Sequence, residues 1–189
     1  MNPAILIGDS IRIGYAPFVR DGLAEEIEVW APEENGGDSR NVLAHVEEWV
    51  LNRDPVLVHL NSGLHDIKRL PEADGPVVPL EEYRGNVSRI LKRALESTNA
   101  VIWALTTPVN EEWHHENKPF DRREADVAAY SRAAAEVCAG LGVPVNDLHT
   151  VIMKHGRDEL LLPDGVHFTD EGYRLLGETV AREIVRHLR

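Results

Sequence analysis

Apolar residues along this chain fall into two rhythms. Short unbroken runs, PAILIG (3–8), PVLVHLN (55–61) and AVIWALTTP (100–108), have the length and branched content of strands buried on both faces. EIEVWA (26–31) and VPVND (143–147) are shorter runs of the same kind. Between them apolar positions recur at helical spacing. SRNVLAHVEEWVLN (39–52) puts Val42, Val46, Trp49 and Val50 on one face, and LEEYRGNVSRILKRALES (80–97) aligns Tyr83, Val87, Ile90, Leu91 and Leu95. READVAAYSRAAAEVCAGL (123–141) is alanine-rich and ends at Gly140 and Gly142. A last helix starts near Asp170, with Thr169 as its cap, and aligns Leu176, Val180, Ile184 and Leu188. A first helix follows strand one, and Ser10 is expected to be its N-cap. Strands alternating with helices predict an α/β fold: a three-layer α/β/α sandwich around a five-stranded parallel sheet. No repeat, linker or low-complexity tract interrupts it, so residues 1–189 are expected to form a single domain.

Such sheets bind ligands beyond the carboxyl ends of their strands, where the strand order reverses. Three unusual loops are expected on that edge: Gly8-Asp9-Ser10 after strand one, NSGLHD (61–66) after strand three, and TTPVNEEWHH (106–115) after strand four.

Composition narrows the possible partners. A formal net charge of -12 argues against a duplex nucleic-acid binder, which needs a basic face, and disfavours anionic membrane surfaces. Cys138 is the one cysteine, so neither an intrachain disulfide nor a cysteine-based zinc site is available. It lies on an apolar helical face and reads as a buried, inert thiol. No run approaches the ~20 apolar residues of a membrane span. The apolar start lacks a basic leader, and the expected location is cytoplasmic.

The chemistry is anchored at the far end, in LLPDGVHFTDEGY (161–173). Asp164 and His167 stand three apart in a loop before the last helix. There a carboxylate can bond one imidazole nitrogen and leave the other free as a base. A serine hydroxyl needs such a base to become a nucleophile, and Ser10 is the serine at a strand end. The Gly-x-Ser-x-Gly elbow, the dinucleotide fingerprint and the P-loop are all absent. Donors for a developing oxyanion are available in the Ser10 backbone N–H, an unobstructed N–H at Gly37 in ENGGDSRN (34–41), and the His65 side chain. Taken singly, each has a plainer reading as a cap, a tight turn or a satisfied loop histidine. Together they point to acyl transfer.

In these blocks the chain resembles the SGNH/GDSL family of serine esterases and lipases. Gly8-Asp9-Ser10 is similar to the first block, Gly37-Asp38-Ser39 to the second, Gly63-Leu64-His65-Asp66 to the third and Asp164-Gly165-Val166-His167 to the fifth, in order from residue 5 to the C-terminus. The resemblance implies a flavodoxin-like hydrolase fold, a Ser10–His167–Asp164 triad, and an oxyanion hole from Ser10, Gly37 and residue 65. It also implies bracing roles for Asp9 and Asp66 and no cofactor. The family's third-block asparagine is replaced here by His65. A neutral imidazole still donates one N–H, whereas an imidazolium would add a full charge and a pH dependence that an amide lacks.

The segment NEEWHHENKPFDRRE (110–124) is the least regular and reads as a loop. In it Trp113 and His114 are candidates to line a substrate groove, with Asp9 and Asn61 as further candidate contacts. Adjacent histidines point apart on an extended chain, so no metal site is expected from His114 and His115. The expected partner is a small ester, first of all an O-acetylated carbohydrate, cleaved through an acyl-enzyme. An acyltransferase using the same triad and a non-catalytic sugar- or acyl-binding protein are the alternatives. Oligomeric state is not legible.

Overall fold

A computed structural model describes residues 2–188; Met1 and Arg189, the ends of the expected domain, lie outside the described range. Five parallel strands form one sheet: β1 (Ala4–Ile7), β2 (Val29–Trp30), β3 (Leu57–Leu60), β4 (Val101–Ala104) and β5 (Val145–Asn146), in the order β2-β1-β3-β4-β5. Every expected strand is present and each is shorter than its apolar run. The run through Pro108 leaves the sheet after Ala104, because β5 offers it only two residues of partner. Thr106 and Thr107 stay buried, as packing for the loops above.

Among the described residues eight α-helices connect and cover the strands: α1 (Ser10–Leu23), α2 (Ser39–Trp49), α3 (Leu80–Ser97), α4 (Glu111–Asn117), α5 (Glu124–Leu141), α6 (Leu148–Lys154), α7 (Arg157–Leu160) and α8 (Asp170–Leu188). α1 packs on α8, while α2, α3 and α5 pack side by side. Right-handed crossovers place these two groups on opposite faces of the sheet. α3, α5 and α8 follow their periodic runs to within a residue, whereas α2 ends at Trp49, short of its expected run to 52, and the chain tightens into a 3-10 turn at Leu51–Arg53. The Thr169 hydroxyl accepts the N–H of Gly172 as the cap of α8. The 110–124 segment, expected to be a loop, contains α4. Asn110 caps it by accepting the Trp113 N–H at 3.1 Å, a signal too short to register as periodicity.

β1 is followed by β2 on one side and β3 continues the sheet on the other, so the strand order reverses between β1 and β3. Ile7 pairs with Leu60 at that point, and the Asn61 N–H donates to the Ile7 carbonyl at 2.9 Å. The loops leaving β1 and β3 therefore lie side by side at the crevice. Among the described residues, no helix is long and apolar enough to cross a membrane.

Candidate active site

β1 stops at Gly8, and the chain turns into α1 through Asp9. Asp9, not Ser10, is the N-cap: its backbone is extended and its Oδ1 accepts the Ile11 N–H at 2.9 Å. A carboxylate one residue earlier already satisfies the helix end. Ser10 thus becomes the first helical residue, with its backbone N–H among the donors that have no partner inside the helix. Its side chain is half-buried, and its Oγ lies 2.9 Å from His167 Nε2.

His167 sits in a loop closed on itself. The Leu162 N–H donates to the His167 carbonyl at 2.7 Å, and Gly165 takes a left-handed backbone at φ +72. A side chain at Gly165 would collide with the Asn110 carbonyl and the His114 N–H. The turn directs the N–H groups of Val166 and His167 to Asp164 Oδ1, while His167 Nδ1 lies 2.6 Å from Asp164 Oδ2. Burial raises the Asp164 carboxyl, but the bonds from the His167 ring and the two N–H groups outweigh it and hold the carboxyl well below the usual carboxylate range. An ionised carboxylate can only accept, so Nδ1 is the donor to Asp164 and Nε2 is the ring nitrogen that faces the Ser10 hydroxyl. Lys118 Nζ also approaches Asp164 Oδ2, at 3.2 Å.

α4 and its flanks hold this loop from behind. The Asn110 N–H donates to the Gly165 carbonyl at 2.9 Å, and Asn117 Nδ2 donates to the Pro163 carbonyl at 3.0 Å. His114, expected to line a substrate groove, is instead fully buried; its Nδ1 donates to the Asp164 carbonyl at 3.1 Å. Arg122 is buried beside it, donating to the Leu64 carbonyl at 2.6 Å and, at 3.5 Å, to His114 Nε2. Arg122 therefore links the loop of His65 to the loop of Asp164. Trp113 is half-buried and lines a shallow cleft of about 310 Å³ with Asn117, Leu161 and Pro163.

The second-block loop lies against the first. The Gly36 N–H donates to the Gly8 carbonyl at 3.0 Å, and a side chain at Gly36 would strike that carbonyl. Gly37 adopts φ +63 and its N–H is not free, since it donates to Asn35 Oδ1 at 2.8 Å. Asn35 is exposed, so another acceptor can replace it. Arg12, one turn into α1, is buried and donates to the carbonyls of Pro32 (2.9 Å) and Glu34 (2.7 Å), fastening this loop to α1.

The third-block loop is braced at Asp66, which is fully buried and accepts from the Ser39 N–H and the Ser62 hydroxyl. His65 is half-buried. Burial is the main reason its pKa falls to about 4; Lys68 and Arg122 push the same way, against Asp9 and Asp38. This favours the neutral imidazole over the charged donor considered from sequence. Asn61 Nδ2 donates to the Ala104 carbonyl at 2.9 Å, tying the ends of β3 and β4 together. Asp9 is buried with its Oδ2 unpartnered among the described residues.

The structure brings Ser10, His167 and Asp164 into one hydrogen-bonded chain, and it converges the Gly37 and His65 loops on the same crevice. Arg12, Lys68, Asn110, Lys118 and Arg122 were not singled out in the sequence. Arg12 alone left a sign there, as a charge in the apolar face of the first helix. Among the described residues, no three His, Cys, Asp or Glu side chains cluster as a metal site requires.

The profile of the GDSL-like lipase/acylhydrolase family matches residues 6–175. The Arabidopsis thaliana GDSL esterase/lipase CPRD49 is 32% identical over 96% of this chain and 77% of its own. The crystal structure of a lipase/acylhydrolase from Enterococcus faecalis superposes with a TM-score of 0.82 at 26% identity, over 97% of this chain and 95% of that one. Axe2, an acetylxylan esterase from Geobacillus stearothermophilus, shares the fold at a TM-score of 0.78 and 19% identity, over 97% and 94% of the two chains.

Proposed function

Because the chain belongs to the GDSL-like lipase/acylhydrolase family and is a carboxylic ester hydrolase, we propose that it cleaves small esters through an acyl-enzyme on Ser10. The observation that carries this reading is the relay of two short contacts, Ser10 Oγ to His167 Nε2 at 2.9 Å and His167 Nδ1 to Asp164 Oδ2 at 2.6 Å. His167 takes the hydroxyl proton as Oγ bonds to the ester carbonyl carbon, and the carbonyl electron pair moves onto oxygen. Asp164 stabilises the imidazolium that forms. The tetrahedral centre collapses, the C–O bond to the alcohol breaks, and His167 returns the proton to the departing oxygen. Water, deprotonated by the same imidazole, then attacks the acyl-enzyme and releases the acid.

The oxyanion is held by the Ser10 N–H at the start of α1, by the Gly37 N–H, and by the neutral His65 ring. At Gly37 the oxyanion takes the place of Asn35 Oδ1 as acceptor. Preorganised donors of this kind act where the charge develops, and each is worth roughly 3 kcal/mol of transition-state stabilisation. The substrate is a small acetyl ester, with an O-acetylated carbohydrate as the first candidate.

The test is labelling of the protein with a fluorophosphonate, alongside hydrolysis of p-nitrophenyl acetate and of acetylated sugars. Expected are stoichiometric labelling at Ser10 and loss of both label and turnover in S10A. Wild-type protein that neither labels nor hydrolyses from mildly acidic to alkaline pH overturns the reading in favour of a binding protein.

A further inference from the structure

An asparagine side chain always carries an N–H donor, but a neutral histidine carries one at Nε2 in only one of its two tautomers. If His65 stands in for an amide in the oxyanion hole, something has to decide where its proton sits. Three residues on, Lys68 turns back so that its Nζ lies 3.2 Å from His65 Nδ1. An ammonium group has donors and no lone pair, so Nδ1 is the acceptor in this contact and the single ring proton is left on Nε2.

We propose that Lys68 is a positioning residue for His65, holding it through Nδ1 in the tautomer that offers Nε2–H to the oxyanion. The inference rests on the reading of His65 as an oxyanion donor. Lys68 is itself seated. Its Nζ stands 5.1 Å from the centre of the Phe120 ring, on which the Arg122 guanidinium also rests at 5.1 Å. Arg122 in turn donates to the carbonyl of Leu64, the residue before His65. The imidazole is thus fixed from its backbone side by Arg122 and from its Nδ1 side by Lys68. The neighbouring charges that act on it are Lys68 and Arg122, which disfavour a second ring proton, and Asp9 and Asp38, which favour one.

Lys68 acts through His65 rather than on the substrate, and a double-mutant cycle separates the two. K68M is expected to lower kcat on p-nitrophenyl acetate by about tenfold with KM little changed, a fraction of the loss from deleting a whole donor. K68R, which keeps a cationic donor, should recover most of the rate. On the H65A background, K68M should cost nothing further. Nitrogen NMR of the labelled ring should show the proton on Nε2 in the wild type and a tautomer mixture in K68M. A K68M loss of the same size on both backgrounds, or a wild-type ring protonated on Nδ1, overturns the inference while leaving the esterase reading intact. An H65A protein as fast as the wild type removes His65 from the hole and this inference with it.

Discussion

Asp66 accepts the backbone N–H of Ser39 with both carboxylate oxygens, at 3.0 and 3.1 Å. The residue after His65 thereby holds the start of the helix that follows Gly37, so two loops of the proposed oxyanion hole share one anchor. Asn86 Nδ2 donates to the Ser39 hydroxyl at 2.9 Å and ties α3 into the same knot.

That anchor is buried, and burial pushes the Asp66 carboxyl up to about 6 despite the bonds from Ser39 and Ser62. The unfolded chain releases the proton near the ordinary carboxylate value, so between about pH 4 and about pH 6 the native state holds a proton that the unfolded state has lost. Stability from this group therefore falls as pH rises through that window. Relative to wild type, D66N should gain on the order of 3 kcal/mol between acid and neutral pH, superimposed on a constant loss from its missing acceptor. Urea midpoints of both proteins across the range check this; a difference that does not move with pH contradicts it.

His65 is expected to work as a neutral donor. H65N should retain activity within about tenfold, while H65A should lose about 10²-fold or more in kcat, the size of one oxyanion contact. With the ring pKa lowered to about 4, wild type and H65N should share one acid limb in their kcat–pH profiles. An additional limb present only in the wild type would show that the ring charges during turnover.

Arg12 fastens the loop of Gly37 to α1 through two carbonyl groups, using the spread of its planar guanidinium. R12K keeps the charge but not the fork, so the substitution is not conservative here. It is expected to cost about 1–3 kcal/mol of stability and to lower kcat more than it raises KM. Amide exchange over residues 33–37 is the direct readout: it should accelerate in R12K and stay unchanged at the loop of His167.

G165A should be severe. Its backbone sits at φ +72, and the added carbon would stand 2.4 Å from the Asn110 carbonyl oxygen and 2.8 Å from the His114 nitrogen. Backbone atoms cannot swing aside as a side chain end can, so the Asp164–His167 turn has to move. The left-handed backbone alone costs about 1–2 kcal/mol with a side chain present. A melting temperature and activity within error of the wild type's would contradict the packing described for this turn.

The sequence by itself determined what depends on near neighbours. Unbroken apolar runs set the five strands, because a parallel sheet covered by helices is buried on both faces, and apolar positions at every third or fourth residue set the long helices, which bury one. The Asp164–His167 contact was legible for the same reason, since three residues and a glycine turn suffice to make it. Short helices were not legible: α4 is one capped pair of turns whose partners lie in other loops.

Only the tertiary structure decided the rest. Ser10 and His167 are 157 positions apart, and their 2.9 Å contact exists because α8 packs along α1, which brings the loop before α8 to the start of α1. Whether an aspartate or the next serine caps a helix is settled by which side-chain oxygen reaches the first free N–H, and Asp9 Oδ1 does. His114 read as a substrate contact because sequence carries no burial; the fold encloses it and turns it to the Asp164 carbonyl. Arg12, Lys68 and Arg122 are ordinary charged residues in a chain rich in them. They acquire meaning only where desolvation makes each donor find an acceptor, and here those acceptors are the loops that frame Ser10.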